Sequence, residues 1–281
     1  MNPFILLTKE RVNAKLDSMT TLSLTTDFGN LNGFVGTMKG VIWGIAPDVN
    51  IADISHEIPA QDIRTGAIAL WRASAYFPAG SVHVAVIDPG VGTKRRAIAA
   101  KLGDRYYVMP DNGLITPMLE DAEAAGLEVR IVHLDKPEYW LPQVYTTFHG
   151  RDIFAPVGAH LATGVPLEKL GTPITDPVRL PLPKPFRTDK GIEGSIVVID
   201  VFGNCSTNIR VSEVADLKNV KLDIAGQVIH EVLPSYGHAN VGDLVAVTDS
   251  EGFIEVAVVN GSAAKTYGIK LDDKVRISFD A

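Results

Sequence analysis

Ser81-Val82-His83-Val84-Ala85-Val86-Ile87-Asp88-Pro89-Gly90-Val91-Gly92-Thr93 is the stretch that decides how this chain folds. From Ser81 to Ile87 the residues are almost continuously apolar, as expected of a strand buried on both faces of a sheet. Asp88-Pro89-Gly90 then stops the strand abruptly. Upstream, Asp62 to Phe77 carries Ile63, Ala67, Leu70, Trp71 and Ser74 on one side of a helix. Before it come a strand over Val49–Ile54 and a helix over Gly33–Gly44, with Phe34, Met38, Val41 and Ile42 near helical spacing and Pro47 as its stop. The first strand, Thr21–Thr26, runs into Asp27-Phe28-Gly29. Downstream, a hairpin over Ala97–Leu102 and Arg105–Met109 turns at Gly103-Asp104. A helix over Leu114–Ala125, a strand over Val129–Leu134 and a helix over Asp152–Ala162 follow. Strand–helix alternation of this kind predicts a layered α/β domain with a mostly parallel sheet, over residues 19–171.

Residues 172–190 hold prolines at 173, 177, 181, 183 and 185. Proline lacks the N–H that a helix or a central strand needs, so this stretch reads as a stiff, extended linker. Residues 191–281 change to short alternating strands: Gly194–Ile199, Lys221–Ile224, Leu244–Thr248, Phe253–Val259 and Lys274–Phe279. A hairpin turn at Asp249-Ser250-Glu251-Gly252 joins two of them. They predict a small C-terminal β-barrel or sandwich. Residues 1–18 hold only a short apolar run, Phe4 to Leu7, too brief for a signal-peptide core or a membrane span. They read as an extension, with Met19 as an alternative start.

Of 281 residues, 46% are hydrophobic and 21% charged, an ordinary globular composition. The net charge is −7, from 33 acidic and 26 basic residues, with no basic stripe. That excludes a non-specific nucleic-acid binder, which needs clustered Lys and Arg to neutralise phosphates. A single cysteine, Cys205, makes neither an internal disulfide nor a Cys-rich zinc site. The expected home is therefore a reducing compartment, the cytoplasm, with no membrane partner.

In open α/β sheets, ligands bind beyond the carboxyl ends of the strands. Two strands here end in an acid beside glycine: Thr26-Asp27-Phe28-Gly29, and Asp88-Pro89-Gly90-Val91-Gly92-Thr93 followed by Lys94-Arg95-Arg96. Asp27 reads equally as a cap, and Asp88 equally as a turn initiator. Phe148-His149-Gly150-Arg151-Asp152 puts a proton-exchanging imidazole at a helix start, although Asp152 also reads as a cap and Arg151 as its partner. Asp200-Val201-Phe202-Gly203-Asn204, with Thr207-Asn208, combines an acid, an aromatic face and an amide, which suits an adenosine-like ligand or an ammonium; it also reads as a strand and polar turn. Asn260-Gly261-Ser262-Ala263-Ala264 reads as a short helix cap as readily as a binding loop. The P-loop, His-Glu-x-x-His and Gly-x-Ser-x-Gly motifs, and a full Gly-x-Gly-x-x-Gly after the first strand, are absent.

In their joint order these clusters resemble the S-adenosyl-L-methionine (SAM) hydroxide adenosyltransferases, or SAM hydrolases, which are related to the fluorinase and chlorinase enzymes. The likeness runs from about Thr21 to Phe279. It implies an N-terminal α/β domain joined to a C-terminal β-barrel, and homotrimers with active sites between subunits. It implies hydrolysis of SAM to adenosine and methionine by water or hydroxide attacking the ribose C5′. SAM is then the substrate, and no cofactor or metal is expected. The family's Asp-Arg-His set falls on Asp88, Arg95 and His149, with Arg96 the neighbouring alternative. By position, Asp27 falls on the ribose hydroxyls, and Asp200 and Ser250 on the methionine ammonium. Phe148, Phe202 and Asn204 fall around the ligand, and the backbone near Ala264 against the adenine. Where the halogenating relatives carry a tyrosine this chain has Asp88, and where the fluoride enzyme has a serine it has Gly150. Gln61 and Glu251 stand in place of a ligand-lining tryptophan and an arginine. The rival expectations are a SAM-dependent halogenase, a non-catalytic SAM-binding sensor, and a metal-dependent phosphohydrolase using Asp27, Asp53, His56 and Asp88.

Overall fold

Strands β1 (Thr21–Thr26), β2 (Asn50–Ser55) and β3 (Val82–Val86) lie parallel, with β1 in the middle. They belong to a computed structural model that describes residues 20–214 and 220–278. The expected extension over residues 1–18, Met19 and the end of the last expected strand at Phe279 lie outside the described residues. A hairpin of β4 (Ala97–Leu102) and β5 (Arg105–Pro110), then β6 (Val129–His133) and β7 (Thr172–Pro173), complete a seven-stranded sheet ordered β2-β1-β3-β5-β4-β6-β7. β5 pairs parallel with β3, whereas β4 is antiparallel to both β5 and β6. All strands except β4 and β7 therefore point one way, which is the mostly parallel sheet expected from the alternation.

Helices α1 (Phe34–Ile45) and α4 (Ala155–Ala162) cover one face of this sheet, and α2 (Ile63–Ser74) and α3 (Thr116–Ala124) the other. β3 shows why its sequence is apolar but for His83, whose Nδ1 lies 2.7 Å from the Ser23 hydroxyl. Val82, Val84 and Val86 pack with Leu22, Leu24, Met38 and Val157, while Ala85 and Ile87 pack with Leu70, Leu114 and Met118. Both faces of the strand leave water, so both alternating sets must be apolar or, like His83, carry a hydrogen-bond partner. α2 begins where Asp62 accepts the Thr65 N–H at 2.9 Å, an ordinary side-chain cap. The helix expected from Asp152 begins instead with a wide π-helical turn, Gly150–Phe154, closed by Ala155 N–H donating to the Gly150 carbonyl. Pro156, in the first turn of α4, has no N–H to donate, so the tighter helical pattern starts only there.

The proline-rich stretch divides between the two halves of the chain. The chain separates into two compact units between Pro181 and Leu182. Before that point β7 adds an edge strand to β6, a place where proline is tolerated. The Val178 N–H donates to Asp111 at 2.8 Å, and the Leu180 N–H to Thr116 at 2.8 Å. After it, β8 (Phe186–Thr188) pairs with β9 (Gly191–Ile199).

The C-terminal unit is a nearly closed, barrel-like sheet. β9, β10 (Cys205–Arg210), β11 (Lys221–Ile224), β12 (Gln227–Ile229), β13 (Val232–Leu233), β14 (Leu244–Thr248), β15 (Phe253–Val258) and β16 (Lys274–Ser278) follow the order β12-β11-β16-β9-β10-β15-β14-β13. Ile192, Ile196, Ile209, Leu222, Ile254, Val256, Val275 and Ile277 fill its interior. The sequence does not announce three of these strands: β10 carries Ser, Thr and Asn, and β12 and β13 are only three and two residues long. Among its described residues the one α-helix, α5 (Ala263–Tyr267), starts at Ser262, whose hydroxyl accepts the Lys265 N–H at 3.2 Å. No helix among the described residues is long and apolar enough to cross a membrane.

Candidate active site

Within the α/β unit, the loops after β1 and β3 and the turn before α4 meet around one cavity. Its volume is about 380 Å³, and Asp27, Gln61, Asp88, Phe148, His149 and Gly150 line it. Phe28 and Phe34 add apolar wall. Phe28, Phe34 and Phe148 pack edge to face with centroids 5.2–6.0 Å apart, the arrangement aromatic quadrupoles favour.

Asp88 and Arg95 form a nearly buried ion pair, with side chains 4% and 11% exposed. Arg95 Nε donates to Asp88 Oδ1 at 2.9 Å and lies 3.0 Å from Oδ2, and Nη2 also donates to Oδ2. The same Nη2 lies 2.9 Å from His149 Nδ1. The guanidinium is stacked against Phe154, 5.2 Å from the ring centre. A guanidinium only donates, so Nδ1 is the acceptor and the proton of the neutral imidazole sits on Nε2. Burial, and then the charge of Arg95, hold the His149 pKa below its ordinary value of 6.5, against the opposing pull of Asp88 and Asp152. At neutral pH the ring is therefore uncharged.

The two adjacent arginines part company. Arg96 turns away to Asp111, with Nε at 2.8 Å, and to Asp176, with Nη1 at 2.8 Å. Asp111 is buried, so Arg96 neutralises a charge of the scaffold rather than one of the cavity. Glycine makes the loop geometry possible. Gly92 has φ +75°, and a Cβ there would sit 2.6 Å from the Thr146 carbonyl oxygen. The loop carrying Asp88 and Arg95 can approach the loop carrying His149 only because that side chain is missing.

Asp27 is not a helix cap. The cap position of α1 is Gly33, with no side-chain bond. Asp27 Oδ2 instead accepts the Gln61 N–H at 2.7 Å, leaving the rest of the carboxylate available to the cavity. Gln61 has a left-handed backbone, φ +66°, a strained conformation for a residue with a side chain. That contact has no signature in the sequence. Asp152, fully buried, accepts from the Tyr145 N–H at 2.8 Å and from Arg151 Nε at 2.6 Å, which shapes the 145–152 loop rather than capping a helix.

The candidates in the barrel unit form a separate group. Asp200 Oδ1 accepts the N–H groups of Phe202 (2.9 Å) and Asn204 (2.8 Å), and the Ala264 N–H reaches the Gly203 carbonyl at 3.0 Å. This tight turn leaves Phe202 72% exposed. Ser250 donates to Glu251 at 2.7 Å. Nearby, burial, aided by the charges of Asp200 and Asp249, pushes the Glu255 carboxyl above its usual range. Asn208 serves the frame: its amide accepts from Ser195 N–H at 2.9 Å and donates to the Pro183 carbonyl at 2.8 Å.

Residues 22–171 match the SAM hydroxide adenosyltransferase N-terminal domain, and residues 194–276 match the SAM hydroxide adenosyltransferase C-terminal domain. A protein of Salinispora tropica named (R)-S-adenosyl-L-methionine hydrolase is 39% identical over 92% of this chain and 97% of that one. A fluorinase of Nocardia brasiliensis is 28% identical over 91% of this chain and 96% of that one. Among solved structures, an uncharacterized conserved protein from Thermotoga maritima superposes with a TM-score of 0.84 at 35% identity, over 92% of this chain and 99% of that one. The two domain matches and the 39% identity place the chain in one group: it belongs to the SAM hydroxide adenosyltransferase family.

Proposed function

We propose that this protein hydrolyses S-adenosyl-L-methionine to adenosine and methionine. One observation carries the reading: Asp88, Arg95 and His149, from separate loops, form one hydrogen-bonded set on a cavity that Asp27 also lines. The oxygen of water forms a bond to the ribose C5′, and the C5′–S bond breaks. Its electron pair goes to sulfur, which leaves as the neutral thioether of methionine. Departure needs no acid, and the reaction as drawn needs neither a metal nor a cofactor. The difficulty lies in the nucleophile, because bulk water has a pKa of about 15.7. Asp88 accepts the proton that water gives up, and it passes to solvent. Arg95 fixes Asp88 and keeps His149 in its Nε2–H form. His149 donates from Nε2 to the incoming oxygen. Alignment behind the C–S bond adds a large further share of the rate, since effective molarities reach ~10⁵ M or more. Asp27 accepts the ribose hydroxyls, and Phe148 lines the sugar side.

The barrel residues Asp200, Phe202, Asn204, Ser250 and Ala264 complete the site around methionine and adenine in this reading, contributed by a neighbouring copy in a homotrimer. The support for that assembly is the family resemblance. The cytoplasm is the proposed location, supported by a chain with a single cysteine, which suits a reducing compartment. A halogenase fits less well, because a buried carboxylate at Asp88 repels the halide it would have to admit. The test is incubation with SAM in ¹⁸O-labelled water, each sulfonium epimer separately, because the curated relatives carry the (R) epimer in their name. Label in the 5′-hydroxyl of adenosine is the expected result. Binding without turnover, or a 5′-halo-adenosine in the presence of halide, would overturn the reading.

A further inference from the structure

We infer that His56 is a positioning residue, which holds the Thr26–Gly29 loop so that the Asp27 carboxylate is presented to the ligand. The inference rests on the placement of Asp27 at the ribose hydroxyls proposed above. His56 follows β2, is 4% exposed, and is not part of the cavity wall. Its Nδ1 lies 2.8 Å from the hydroxyl of Thr26, the fully buried last residue of β1. Its Nε2 lies 3.0 Å from Asp53 Oδ1, and Asp53 Oδ2 receives Lys39 Nζ at 2.6 Å. The Asp53 carboxylate, close to Nε2 although not in line for a well-formed hydrogen bond, favours the ring proton on that nitrogen. Nδ1 is then an acceptor, and the Thr26 hydroxyl donates to it. The lone pairs of Thr26 Oγ1 are left to accept the Phe28 N–H at 3.3 Å.

The donors thus run in one direction, from the backbone of Phe28 through Thr26 to His56. The chain is anchored at its far end by Asp53 and Lys39, near the surface. Two backbone ties reinforce it: Gly29 N–H donates to the His56 carbonyl at 2.8 Å, and the Gln61 N–H reaches Asp27 at 2.7 Å. Between them, these contacts fix the residues on both sides of Asp27. Packing alone would accept an apolar residue at position 56. A buried imidazole with this set of partners suits a loop that must hold a charged side chain at a fixed angle toward a polar ligand, because binding to a pre-ordered site avoids the cost of ordering it. His56 and Thr26 do not touch the reacting atoms, so they act on binding and leave the chemical step alone.

The experiment measures kcat and KM for SAM in the full-length protein and in four variants: Asp27→Asn, His56→Ala, His56→Asn and Thr26→Val. His56→Ala and Thr26→Val are expected to raise KM about tenfold, roughly the worth of one hydrogen bond, with kcat within about twofold. The Asn side chain can put an acceptor near the place of Nδ1, so His56→Asn is expected to recover most of the loss. Thr26→Val keeps the shape of the strand end, which guards against a misfolded His56→Ala. If Asp27→Asn raises KM while His56→Ala and Thr26→Val leave it unchanged, the inference fails and the reading of Asp27 survives. If kcat and KM effects in His56→Ala amount only to a smaller active fraction, with no rescue by Asn, the residue is structural and the inference also fails. If Asp27→Asn itself leaves KM unchanged, the reading of Asp27 fails, and this inference fails with it.

Discussion

Replacing His149 by Gln and Asp88 by Asn separates the two groups able to take a proton from water. Arg95 Nη2 donates to His149 Nδ1 at 2.9 Å and also to Asp88, so one guanidinium nitrogen fixes both groups. With Nδ1 occupied, a proton arriving at His149 must displace that bond and place a cation beside Arg95. Burial of the ring, and then the charge of Arg95, already hold the His149 pKa below its ordinary value, in line with this resistance. Gln can reproduce the required pattern, with its carbonyl accepting from Arg95 and its amide donating to the nucleophile. His149→Gln is therefore expected to cost less than about tenfold in kcat, about 1.4 kcal/mol. Asp88→Asn removes the proton acceptor and is expected to cost roughly 10²–10⁴-fold, about 3–5 kcal/mol. The assay is adenosine formation followed by chromatography at saturating SAM, from pH 5 to 8. In the parent protein the neutral imidazole persists below pH 6.5, so no loss of kcat is expected as pH falls from 8 to 6.5. Equal losses in the two variants, or an acid limb that disappears in His149→Gln but survives in Asp88→Asn, would refute the assignment of Asp88 as the acceptor.

Two further outcomes follow from the geometry. Gly92→Ala places a side chain at φ +75° and 2.6 Å from the Thr146 carbonyl oxygen. It should destabilise the fold by roughly 1–3 kcal/mol in urea unfolding and lower kcat/KM by separating the Asp88 and His149 loops. Burial, with a smaller contribution from Arg105, lowers the pKa of His83 to about 3. The unfolded chain binds a proton near pH 6.5 while the folded chain does not, so the stability present above pH 6.5 is lost as pH falls toward 3. Between pH 7 and 5 that loss comes to about 2 kcal/mol. His83→Leu should flatten this dependence in urea midpoints, and an unchanged slope would contradict it.

The α/β half was largely legible because its signals are local. A strand buried on both faces must be mostly apolar, as Ser81–Ile87 is apart from Ser81 and His83, whose side chains find partners in Pro78 and Ser23, and an amphipathic helix must repeat near every third or fourth residue, as in α2. The barrel was less legible. β10, Cys205–Arg210, is buried for most of its length despite its Ser, Thr and Asn residues, because neighbouring strands and hydrogen bonds satisfy them: Ser206 pairs with Asp249 at 2.9 Å. The residues by themselves left Asp88 and His149 as candidates beside ordinary structural readings, and the family resemblance singled them out; the structure brings both onto Arg95.

Composition, periodicity and motif order, taken by themselves, determined the layered α/β sheet, the change to β structure after the prolines, and the identity of the residues bearing charge at the strand ends. They left Arg95 and Arg96 as alternatives, and they gave no sign of Gln61 beneath Asp27 or of His56 behind Thr26. Those were decided in three dimensions. Adjacent side chains point in different directions, so only the path of the loop after β3 sends Arg95 to Asp88 and Arg96 to Asp111. A backbone N–H carries no residue identity, so which carboxylate it meets depends on how distant parts of the chain are brought together.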